Sequence, residues 1–325
     1  MSRSLRSLAL GVASLVLPAV ASAHPGRAAE PHDLWGAWTV APAVVLGLVV
    51  SAWLYWRGLR ALWRRAGRGR VVAPWRAASF AASIGALVLA LVSPIDAIAA
   101  ALFSVHMLQH LLLIMVAAPL MVLGDPLMVM LWALPVGTRC AAARWWKGAH
   151  RLRRLWHVLR LAPIAWILHV FTLWLWHMPA LYELAIRHEL IHAAEHATFF
   201  LTALLFWWLP LRPHGRRLRP PVAVLYLFGA ALQSTILGAL ITFARRPWYP
   251  SHFGTTSAWG LNPLEDQQLA GLLMWVPAGT IYLIVLLPIV WRMVGGDEPV
   301  RPPIRRYRVA GPEPSAAGTS ARGTP

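Results

Sequence analysis

The chemistry in this chain is concentrated in its histidines. Six of the thirteen fall in three short stretches: His106 with His110, His177, and His188 with His192 and His196. Residues four apart on a helix share a face at about 6 Å, so His106 and His110 form one pair of imidazoles and His192 and His196 another. Two imidazoles one turn apart make a bidentate hold on a metal ion. His188 and His196 are separated by about 12 Å at the helical rise of 1.5 Å per residue, so at most two of that trio serve one ion. Met107 and Met178 lie beside His106 and His177. Imidazole with thioether suits copper, which neutral rings should release as pH falls through about 6. The competing use is structural, since membrane helices employ histidine to bond neighbouring helices and methionine as filler. His169, deep in an apolar run, is assigned to the core on that ground.

A second pattern overlaps the third stretch. His188-Glu189-Leu190-Ile191-His192 matches the zincin motif, and His192-Ala193-Ala194-Glu195-His196 matches its inverse. There two histidines hold zinc and the glutamate deprotonates its water. An intramembrane zinc metalloprotease is therefore one alternative, although a third ligand and an intramembrane aspartate beside a substrate-binding break are not evident. A haem-binding bundle with bis-histidine ligation and a copper transporter are two more. Asn262-Pro263-Leu264-Glu265 reads as an N-cap, a first-turn proline and a capping-box acid, with Asp266 adding charge at the same helix start. Arg245 and Arg246 are candidates to pair with these acids, and Trp248, Tyr249 and Trp259 to sit at headgroup level.

The elements that must position these residues are membrane helices. Of 325 residues 58% are hydrophobic and 13% charged, and mean hydropathy is +0.56, which excludes an ordinary soluble domain. Cys140 stands alone, which excludes a disulfide scaffold and a two-thiolate metal site. Residues 1–23 read as a cleavable signal peptide, with Arg3 and Arg6, an apolar run and Ala21-Ser22-Ala23. Seven spans are predicted at roughly 38–56, 77–93, 102–123, 162–178, 190–209, 221–243 and 268–291, within a membrane domain of residues 24–298. From an outer start the basic stretches at Arg57–Arg76, Arg139–Arg160 and Arg212–Arg219 all fall inside with the C-terminal tail, leaving only Arg27, Arg187, Arg245 and Arg246 outside. The net charge of +18 is thereby explained by orientation and by anionic lipid at the cytoplasmic loops, with no nucleic acid needed. Residues 299–325, rich in Pro, Gly, Ser and Arg, read as a disordered basic cytoplasmic tail. This topology puts all six clustered histidines at the outer side.

Three blocks carry a family resemblance: His106-Met107-Leu108-Gln109-His110-Leu111-Leu112-Leu113; His177-Met178-Pro179-Ala180-Leu181-Tyr182 continuing to His192-Ala193-Ala194-Glu195-His196; and Trp259 through Gly271. In that order, over roughly residues 35 to 290, the chain resembles the polytopic cytochrome c oxidase assembly factor CtaG family, not the single-span copper chaperone that shares the name. The resemblance implies a multi-pass protein of the bacterial plasma (inner) membrane that partners haem–copper oxidase subunits of the respiratory chain, aids copper-site formation from the outer face and is not an enzyme. It implies His106, His110, His177, His192 and His196 as the metal residues and copper as the metal. Glu189 is not associated with that family.

Overall fold

The computed structural model describes residues 31–33, 36–211 and 218–294, and is all-α among them. The signal-peptide segment and the C-terminal tail lie outside the described residues. The helices are α1 Pro42–Ala66, α2 Pro74–Leu91, α3 Pro94–Ala99, α4 Phe103–Gly124, α5 Pro126–Ala133, α6 Val136–Gly148, α7 His150–Leu159, α8 Ala162–Trp176, α9 Pro179–Arg187, α10 Glu189–Leu211, α11 Pro220–Thr242 and α12 Pro263–Val294. Proline opens seven of them, at residues 42, 74, 94, 126, 179, 220 and 263. Its fixed φ and missing N–H suit a first helical position, where the amide has no intrahelical partner.

Six helices, α1, α2, α4, α10, α11 and α12, are long and apolar enough to cross a membrane. The predicted fourth span is different. α8 has 15 residues, about 22 Å at 1.5 Å per residue, against about 30 Å of hydrocarbon. It counts as a crossing only together with α7, from which it is bent by 73°. α7 is basic on one side, with Arg151, Arg153 and Arg154, and exposes Leu152, Leu155 and Val158, the pattern of a helix lying in an interface. The first span also runs on through Arg57, Arg60, Arg64 and Arg65, which extend α1 rather than begin a loop. Leu46, Ile167, Phe171, Leu225, Phe228 and Ile284 are each more than half exposed, as residues facing lipid must be. The chain is a multi-pass membrane helix bundle.

α4 is the central helix, and its middle is a π-helical turn over Leu112–Ala117. Pro119 explains the turn: it lacks the N–H that would bond back to residue 115, and its ring crowds that carbonyl. Neighbours take up carbonyls of the widened turn. Ser83 on α2 donates to the Ala117 carbonyl at 2.7 Å and Trp207 on α10 to that of Ile114 at 2.9 Å. In lipid such groups must be satisfied by protein.

Candidate metal centre

The first turns of α4 carry His106 and His110, α10 carries His192, Glu195 and His196, and His177 terminates α8. The start of α4 is set from far along the chain. Leu102 offers it no side-chain cap; instead Asp266 of α12, fully buried, accepts from the Phe103 N–H at 2.7 Å and from the Ser104 N–H at 3.1 Å. The sequence offers Asp266 the start of its own helix or a pairing with Arg245 or Arg246, and the structure shows it capping α4. Glu265 does act as expected, accepting from Asn262 N–H at 2.9 Å while the Asn262 side chain caps Leu264 and Glu265. Gln109 fixes the opposite side of α4 by donating to the Ala90 carbonyl and to Asp96 of α3, both at 2.7 Å.

The two histidine pairs face each other. One nitrogen each of His106, His110 and His196 lie within 4.8 Å of one another, and so do ligand atoms of His106, His192 and Glu195. Ring centroids are 4.4 Å apart for His106 and His110, 4.2 Å for His192 and His196, and 5.3 Å for His110 and His196. Glu195 lies between the pairs, its carboxylate oxygens 3.9 Å from His106 Nε2 and 3.7 Å from His110 Nε2. An ion with bonds of about 2.0 Å spaces its ligand atoms by at most about 4 Å, so modest ring rotations would close the set.

The strongest chemical sign is what these groups lack. Both nitrogens of His106 and of His110, Nε2 of His192 and of His196, and both oxygens of Glu195 are buried without a hydrogen-bond partner. A single buried polar atom left so costs about 1–3 kcal/mol. A cation would take up one nitrogen of each ring and a Glu195 oxygen, and imidazoles with a carboxylate fit a transition metal. His177 sits at the edge, its ring 6.3 Å from that of His110, with Nδ1 donating to the Leu173 carbonyl at 2.7 Å and Nε2 at 3.2 Å from Met107 Sδ. His188 is exposed at the junction of α9 and α10, where its carbonyl accepts from the His192 N–H at 3.0 Å, and it does not join the buried cluster. His169 is buried in the core as expected, its ring stacked on Phe206.

The loop between α11 and α12 roofs the cluster. Tyr249, expected at headgroup level, is 3% exposed, and its hydroxyl donates to the His177 carbonyl at 2.9 Å. Burial, then the Glu195 charge, pushes its pKa up, so the donor stays protonated. Burial pushes His252 below the ordinary histidine range, against the smaller opposing effect of the Ala101 carbonyl and nearby acids. Its neutral Nε2 can accept from the Tyr182 hydroxyl at 2.7 Å. Ser251 bonds Glu183 of α9 and Thr255 bonds the Ala101 carbonyl, tying the loop to α9 and to the start of α4. Sequence reasoning left Glu195, Tyr182 and His252 out of the candidate metal set. For Glu195 the signal was present, since it is three residues from His192 and shares its face; the other two come from distant segments and carry no local mark.

Two uncharacterized proteins, of Mycobacterium bovis and Mycobacterium tuberculosis, are each 28% identical over 260 residues, covering 78% of this chain. The chain spans 38% of the length of these relatives. No solved structure matches it. The model of the cytochrome c oxidase caa3 assembly factor family matches residues 53–295, a stretch that contains every residue of the cluster, and the chain belongs to that family.

Proposed function

We propose that this protein assembles haem–copper cytochrome c oxidase by holding a copper ion in the His106, His110, His192, His196 and Glu195 cluster and passing it to an oxidase subunit at the outer face of the bacterial plasma membrane. The observation that carries the reading is the convergence of buried, unpartnered ligand atoms in two groups of three that share His106. Copper is here the cargo. Four imidazoles and a carboxylate offer a site strong enough to bind it, and a roof made of a loop offers a way out that a closed helical core would not. The family supports the oxidase as partner, and the positive-inside distribution of arginines supports a cytoplasmic C-terminus with anionic lipid along the inner loops.

In this reading the protein is not an enzyme. The zincin pair requires both histidines on one ion, and His188 is exposed outside the groups that converge in the cluster. Glu195, the base of the inverse motif, is fully buried and directed at His106 and His110.

Metal analysis of the purified protein, beside oxidase assays in a deletion strain, tests the proposal. His110→Ala with His192→Ala should abolish stoichiometric Cu(II) and lower haem–copper oxidase activity while oxidase transcripts persist. Intact Cu(II) binding in that variant, or normal cytochrome c oxidation in the deletion strain under copper limitation, would refute it. Hydrolysis of a membrane substrate lost in Glu195→Gln would favour the protease.

A further inference from the structure

Below the cluster, toward the middle of the bundle, a cavity of about 30 Å³ opens between α4, α8, α11 and α12. That is room for at least one water-sized species. Its walls include three histidines, His110, His169 and His177, and three methionines, Met107, Met115 and Met274. Most of the remaining lining is aliphatic, so this concentration of soft donors stands out against it.

The geometry at the top of the cavity is specific. Nδ1 of His177 lies 2.7 Å from the Leu173 carbonyl. A carbonyl only accepts, so Nδ1 carries the proton, and in a neutral ring Nε2 presents a bare lone pair. That lone pair faces the Met107 sulfur at 3.2 Å. A thioether has no proton to give, so in this tautomer two acceptors confront each other in a buried place, and a cation held by both would reconcile them. Toward the centre, His169 is 3% exposed and its Nδ1 has no hydrogen-bond partner. Imidazole and thioether select monovalent copper, whereas the carboxylate-bearing cluster above also suits divalent ions.

We propose that His177 Nε2 and Met107 Sδ, with the cavity walled by His169, Met115 and Met274, form a second metal position selective for monovalent copper. His110 joins it to the cluster, because it lines the cavity and contributes to the cluster as well. The inference rests on the reading of that cluster as a metal centre, but binding at the two positions is separable by experiment.

The test uses the full chain in detergent without oxygen, titrated with Ag(I) as a redox-inert stand-in for Cu(I), then with Cu(I), and separately with Zn(II). X-ray absorption of the wild-type Cu(I) form should show a sulfur neighbour. Met107→Leu, close in volume, should weaken Ag(I) binding by roughly 10- to 100-fold, a range that even outer-shell changes reach, while Zn(II) binding is kept. A His192→Ala, Glu195→Gln variant should lose Zn(II) and keep Ag(I). Absence of sulfur from the wild-type spectrum, or unchanged Ag(I) affinity in Met107→Leu, overturns the second position. Loss of neither metal in the His192→Ala, Glu195→Gln variant counts against the cluster instead. The wild-type spectrum decides the matter even if Met107→Leu fails to fold.

Discussion

At the scale of single residues, Asp266 shows how a metal cluster can depend on a group that binds no metal. Its carboxylate holds the first two amides of α4, three and two residues before His106. Asp266→Ala would leave those amides and the Ser104 hydroxyl unpaired in a buried site, at about 1–3 kcal/mol for each group left unsatisfied. The expected outcome is a lower unfolding midpoint and weaker copper binding together, measured by thermal unfolding in detergent and by metal titration; Asp266→Asn, which keeps an acceptor, should recover part of both. Weak copper binding with an unchanged midpoint would mean that Asp266 contacts the ion itself. Its acidic character at a helix start was legible in the sequence. The helix it caps was not, because Phe103 and Asp266 are 163 residues apart.

Among elements, α11 and α12 approach closely and need two glycines to do so. A Cβ at Gly271 would stand 2.6 Å from the Thr242 nitrogen and 2.7 Å from the Gly238 carbonyl oxygen, and one at Gly238 would stand 3.1 Å from the Gly271 carbonyl oxygen. Small residues let membrane helices come this near, where dispersion and polar contacts replace the hydrophobic effect. Gly271→Val is expected to cost about 1–3 kcal/mol by forcing the pair apart. Because α12 carries Asp266, the same change should also loosen copper binding, which unfolding and metal titration would detect together. Most spans were legible to within a few residues, since an apolar run of some twenty residues has one stable outcome in lipid. The first ran ten residues past its predicted end because its arginines extend the helix, and the fourth, although its bounds were legible, is too short to cross alone and bends by 73° from the amphipathic α7 before it.

For the molecule as a whole, orientation decides whether the cluster meets the oxidase from outside. The arginine-rich stretches predict a cytoplasmic C-terminus and cytoplasmic α5–α7 region, so a fluorescent protein fused after residue 325 should glow, and alkaline phosphatase fused after residue 217 should be inactive. Phosphatase inserted near Thr255, on the loop over the cluster, should be active. The reverse pattern would place the histidines on the cytoplasmic side and remove the proposed delivery from outside.

The sequence by itself determined the class of molecule, the pairing of histidines along each helix and the end of the spans at which they lie, because composition and a repeat of 3.6 residues per turn are local properties. Only the tertiary structure decided that the faces of α4 and α10 point at each other, that Glu195 stands between them, and that His177 turns toward Met107 while His188 is left outside. Those outcomes depend on how helices rotate about their axes when they pack. That rotation is set by contacts between residues far apart in the chain, such as Asp266 with Phe103 and Trp207 with Ile114.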